Sequence, residues 1–91
     1  MPIFHDLYTL SLGTPVQVVA PQVVPQEVHL HNMTKSSNEY IFIGSESVST
    51  ANAPHLDPGE SLTMTLGPGD SLWAVSDPGG LELGVLAVKQ D

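Results

Sequence analysis

Neither cysteine nor arginine occurs in this chain, and its only fixed cations are Lys35 and Lys89. Without cysteine there is no disulfide and no thiolate metal site. Ten acidic residues against two lysines leave a formal net charge of −8 at pH 7. Binding to phosphates needs clustered Lys or Arg, so nucleic acid and anionic membranes are not expected partners. Charge of either sign is scarce, at 13% of the 91 residues, about half the usual share for a soluble domain. Ser, Thr, Asn, Gln and exposed apolar groups must then cover much of the surface, which suits a protein covered by neighbours. Long apolar runs are missing as well. The stretch 16–24 is interrupted by Gln and Pro and cannot span a bilayer. The opening Met1-Pro2-Ile3-Phe4-His5-Asp6 has no positive n-region of a signal peptide.

Helical periodicity is the last absence: eight prolines and eight glycines spread along the chain leave no room for a long helix. What is present is strand and turn. Asp57-Pro58-Gly59, Gly67-Pro68-Gly69 and Asp77-Pro78-Gly79 place a Pro-Gly pair at ten-residue spacing. Proline presets φ for the second position of a turn and glycine accepts the positive φ that a type II turn needs next. Between the first two turns Leu62, Met64 and Leu66 alternate with Ser61, Thr63 and Thr65, the period of a strand with one buried face. Residues 72–75 and 81–88 read as two further strands, 28–33 and 40–43 as two earlier ones, and Val48-Ser49-Thr50 as a short edge strand. The expectation is an all-β domain: a small antiparallel β-sandwich or barrel, a jelly-roll-like meander, over residues 27–91.

Residues 1–26 differ. Pro15, Pro21 and Pro25 interrupt their strand pattern, and proline in a strand demotes it to an edge or an extended arm. The segment is therefore either a pair of edge strands or an N-terminal arm laid on another chain. Its apolar residues are too many to leave in water, which makes Phe4, Leu7, Tyr8, Leu10, Val16 and Val18 candidate interface positions. Trp73 joins them, because strand alternation sets it on the face opposite Leu72 and Ala74.

Candidate chemistry is thin. His29-Leu30-His31 puts two imidazoles on one strand face and His55 follows a turn, so a three-histidine metal site is conceivable. Two histidines at i and i+2 are more often plain partly exposed strand residues, with Val28 and Leu30 as the core side. His29, His31 and Glu39 look superficially like the first metal motif of the cupin family. Glu39 lies too far from His31, however, and a second histidine motif is missing, so only a distant jelly-roll likeness survives. Asp57, Asp70 and Asp77 all flank Pro-Gly turns, where an aspartate bonds the local backbone. No serine stands in a nucleophile-elbow context and no glycine-rich loop opens a helix. The chain reads as a non-enzymatic domain with no cofactor and no catalytic residue.

The segments Val28-His29-Leu30-His31-Asn32, Glu39-Tyr40-Ile41-Phe42-Ile43-Gly44, Leu56-Asp57-Pro58-Gly59-Glu60-Ser61-Leu62 and Pro68-Gly69-Asp70-Ser71-Leu72-Trp73-Ala74-Val75-Ser76 resemble small structural proteins of tailed bacteriophages, such as capsid decoration and other minor virion proteins. The likeness covers roughly residues 28–88 and leaves 1–26 outside it. It implies a cement protein on the capsid surface that is assembled in the host cytoplasm. Its partners would be the major capsid protein of the shell and its own copies, as a trimer. A head fibre, a head–tail component or a tail protein would fit the same likeness. An interaction module acting in the cytoplasm is a third reading. Mimicry of nucleic acid is a poor form of it, because the acidic residues are scattered over turns rather than arrayed along a face.

Overall fold

The computed structural model describes residues 3–90. They form eight strands: β1 (Ile3–Thr9), β2 (Val16–Val19), β3 (Gln26–Asn32), β4 (Tyr40–Gly44), β5 (His55–Leu56), β6 (Ser61–Leu66), β7 (Leu72–Asp77) and β8 (Glu82–Lys89). The first sheet has the order β1-β8-β3-β6 and the second β2-β7-β4-β5, and every neighbouring pair is antiparallel. The ladders are mirror-related along the chain. The first strand pairs with the last, the second with the second last, and so inward to β4 with β5. A long two-stranded ribbon rolled up in this way, then closed by the β3·β8 and β4·β7 ladders, is a jelly-roll sandwich.

The all-β sandwich agrees with the alternation in the sequence, but the strands are not a meander. Each of the three Pro-Gly turns carries the chain from one sheet to the other rather than closing a hairpin. Two of them have the expected geometry. Glu60 N–H donates to Asp57 C=O at 2.9 Å with Gly59 at φ 76°, and Asp70 N–H donates to Gly67 C=O at 3.1 Å with Gly69 at φ 82°. The third departs from it: the Asp77–Pro78 bond is cis, and the positive φ falls one residue later, on Gly80. Gly80 N–H donates to Leu10 C=O, so that reversal is shaped by the incoming N-terminal chain.

The core lies between the sheets and is built from Leu10, Val18, Val19, Val28, Leu30, Ile41, Ile43, Leu56, Leu66, Leu72, Ala74, Leu81, Leu83, Val85 and Ala87. Three polar side chains are buried beside it; Asn32 links β3 to β5, while Gln26 and Ser76 bond nearby loop carbonyls. The Asn32 amide donates to Glu39 C=O and Leu56 C=O while its oxygen accepts from the Thr34 N–H and hydroxyl. Gln26 donates to Ala20 C=O at 3.0 Å, and Ser76 donates to Pro78 C=O at 2.9 Å. Among the described residues no buried side-chain polar atom lacks a partner, so hydrogen bonds offset the desolvation of these groups.

Residues 3–9 and 16–19 are edge strands paired within this chain, β1 on β8 and β2 on β7. The arm laid on a neighbour is not the arrangement seen. A boundary after residue 26 separates nothing, because Gln26 is buried and bonded back to Ala20. The prolines instead frame β2, whose register shifts between Gln17 and Val19. That irregularity turns two successive valines, Val18 and Val19, inward.

Two further expectations are corrected. Val48-Ser49-Thr50 is not a strand but part of the loop between β4 and β5, which folds back over the second sheet. Of Leu62, Met64 and Leu66, expected to form one buried face, only Leu66 is buried; Met64 is half-buried and Leu62 is exposed. β6 is an edge strand, so its inward side is only partly covered.

Candidate interaction surfaces

The two outer faces of the sandwich are unlike. On the second sheet the outward residues include Tyr40, Phe42, Trp73 and Val75, with His55 packed edge-on against Tyr40 at 5.0 Å and tilted against Phe42 at 5.5 Å. The β4–β5 loop covers part of this face, and Val48 and Val75 are both buried although they stand outside the main core. Val48 seats against Gly44, where a Cβ would come within 3.3 Å of its Cγ2. Trp73 is half-buried here, with its indole N–H donating to Ser71 Oγ at 3.2 Å.

The outer face of the first sheet has no such cover. Its rows follow from the register: Ile3, Val88, Glu27 and Thr65; then His5, Leu86, His29 and Thr63; then Leu7, Gly84, His31 and Ser61. Met33 follows, with its N–H donating to Glu82 C=O. Ile3, Leu7, Met33 and Leu86 are exposed by 61, 49, 45 and 39%. At the centre lies Gly84, with Met33 seated so close that a Cβ there would come within 3.2 Å of its Sδ, and around it runs an open trough of about 650 Å³ walled by His5, Leu7, His31, Met33 and Leu86. Glu27 and Glu82 are the carboxylates of this face, and no lysine belongs to its rows.

The seven residues proposed for an interface are thus dispersed. Phe4, Tyr8 and Val18 line a cleft of about 340 Å³ between the edge strands β1 and β2. Leu7 faces the trough on the first sheet. Leu10 and Val18 are core, and Tyr8 and Val16 pack against it. Trp73 is on the opposite sheet. The residues missed from sequence are Met33, Gly84 and Leu86, and only pairing β1 with β8 and β8 with β3 makes them neighbours of Leu7.

The histidines do not converge. His29 bonds Thr63 Oγ1 and Glu27 Oε1, both at 3.0 Å, His31 bonds Gly59 C=O at 3.2 Å, and His55 lies on the other sheet beside Asp57 Oδ1 at 3.2 Å. Among the described residues no three His, Asp or Glu side chains are grouped as a metal site would require. No helix among them is long and apolar enough to cross a membrane.

No protein-family model matches the sequence, and no curated protein is similar to it. Among solved structures, the chain is similar to one described by the words "Bacillus endospore appendages form a novel family of disulfide-linked pili". The TM-score is 0.60 at 11% identity, and the likeness covers 99% of this chain and 87% of that one. At that identity the fold is what is shared. The disulfide linkage named there has no counterpart in this sequence, which contains no cysteine.

Proposed function

We propose that this chain is a non-enzymatic virion structural protein, a capsid decoration protein that docks on the shell of the major capsid protein through the outer face of the first sheet. The observation that carries the reading is the contrast between the two faces. One is partly covered by the chain's own loop, while the other leaves Ile3, Leu7, Met33 and Leu86 around an open trough. Apolar groups gathered on one otherwise polar face mark an interaction site. The choice of a phage shell as the partner rests on the resemblance of residues 28–88 to small virion proteins.

Magnitudes favour many copies acting together. Burying a large apolar side chain fully contributes about 1.5–3 kcal/mol, and these four are already part-buried, so each adds on the order of 1 kcal/mol. Association costs roughly 4–15 kcal/mol in lost freedom. A single copy therefore holds weakly, and an oligomer such as a trimer on a symmetric shell gains by multivalency. Mass spectrometry of purified particles tests the reading. The polypeptide is expected in intact virions in a fixed ratio to the shell protein, and its absence from them would overturn the proposal.

A further inference from the structure

The four sheet edges are treated differently. The second sheet ends in β2, four residues with an irregular register between Pro15 and Pro21, and in β5, only two residues long. Short strands, bulges and flanking prolines are the usual guards against edge pairing. The first sheet ends in β1, seven residues, and β6, six residues, and neither contains a proline or a lysine.

The ladders fix which backbone groups on these edges are unpaired. Leu10 N–H donates to Leu81 C=O, so by antiparallel alternation Ile3, His5, Leu7 and Thr9 turn their N–H and C=O groups away from β8. Asn32 N–H donates to Glu60 C=O, which leaves those of Ser61, Thr63 and Thr65 turned away from β3. The Leu7 N–H is met at 2.7 Å by the Asp6 carboxylate of its own strand.

We infer that copies of this chain assemble head to tail, the free edge of β1 in one copy pairing antiparallel with the free edge of β6 in the next. The sheet is antiparallel throughout, so β1 and β6 run in opposite directions, and a copy set alongside without being turned over presents β6 correctly to β1. The pleat agrees too. The residues with unpaired backbone groups are outward-facing on both strands, so His5 or Leu7 meets Thr63 on one face. With His5 opposite Thr63, Phe4, 49% exposed, falls opposite the half-buried Met64 on the other, and Asp6 opposite Leu62, 37% exposed.

Charge selects this arrangement over a two-fold one. Pairing β1 with itself along its full length sets Asp6, the middle residue of Ile3–Thr9, opposite its own copy, and like charges directly opposed destabilise a sheet. β6 carries no charge, so a seam with β1 brings no two carboxylates together even between chains of net charge −8. Pairing β6 with itself would leave Ile3, Phe4 and Leu7 uncovered. A head-to-tail interface closes into a ring or extends as a filament, according to the rotation between copies. This seam lies at the sheet edges and stands or falls separately from docking of the outer face on a shell.

Sedimentation of the full chain at several concentrations provides the test. The mass is expected to rise above the 9.7 kDa of the monomer as concentration increases. His5→Pro and Thr65→Pro each remove only an outward donor, so each should keep a cooperative unfolding transition and sediment as a monomer. Mixed in equal amounts, they should form a one-to-one dimer and nothing larger, because each retains the edge that the other lacks. Should a proline variant not fold, His5→Lys or Thr65→Lys takes its place in the same mixing experiment. A parent chain that stays monomeric at about 1 mM, or a mixture of folded variants that stays monomeric, overturns the inference. So does a Thr65→Pro variant that dimerises alone, since that is the two-fold pairing of β1.

Discussion

The side-chain amide of Asn32, the last residue of β3 in one sheet, donates to the backbone carbonyl of Leu56 in β5 of the other at 3.1 Å. With its second donor on Glu39 C=O and its oxygen on Thr34, this buried residue spends its full hydrogen-bonding capacity on holding two crossings in place. Asn32→Leu is expected to destabilise the fold by about 2–4 kcal/mol, because the carbonyls it serves lose their partners inside the protein. Urea unfolding against the parent chain measures it. A loss under about 0.5 kcal/mol would show that water replaces the amide.

Two glycines should respond oppositely to alanine. Gly69 sits at φ 82°, so Gly69→Ala is expected to cost about 1–2 kcal/mol although nothing lies within 4 Å of the added Cβ. Gly13 has equal space and no positive φ. Gly13→Ala should be neutral, or stabilise by up to ~1 kcal/mol through the unfolded chain. Thermal unfolding of the pair of variants checks the sign at each position.

On the outer face of the first sheet, Leu86→Asp and Met33→Asp should leave stability within about 1 kcal/mol of the parent, since both side chains are already well exposed. Binding to purified shells should weaken by at least ~10-fold, the equivalent of 1.4 kcal/mol. Neither residue lies on β1 or β6, so self-association should persist. Variants that bind shells as well as the parent would remove this face from the docking reading.

For the histidines, the unfolding midpoint is expected to be the same with and without a chelator, because His29 and His31 already bond Thr63, Glu27 and Gly59 and His55 lies on the other sheet. Elemental analysis gives the reverse outcome a clear form. Stoichiometric zinc, iron or manganese lost in the His29→Ala, His31→Ala double variant would establish a metal site.

Much of the fold was legible residue by residue. Val28 and Leu30 declared the core side of β3, His29 and His31 its outer side, and Pro58-Gly59 and Pro68-Gly69 their type II turns. What misled was Asp77-Pro78-Gly79, whose geometry answers to Leu10, a residue far away in sequence. The buried face expected of Leu62, Met64 and Leu66 was realised only at Leu66 for a related reason: alternation tells which side a residue faces but not whether that strand ends up at an edge.

Strand character, the places where the chain reverses and the acidic, cation-poor surface all follow from the order of residues alone, because backbone preference at Pro and Gly, side-chain alternation and charge are local properties. Folding in three dimensions settled that successive strands, β4 and β5 excepted, lie in opposite sheets, that β1 meets β8 and β3 meets β6, and that Leu7, Met33, Gly84 and Leu86 share one face. Those outcomes depend on which distant partner a strand finds. Many pairings satisfy the same alternation equally well, and the choice is made by how the two sheets bury their apolar sides together.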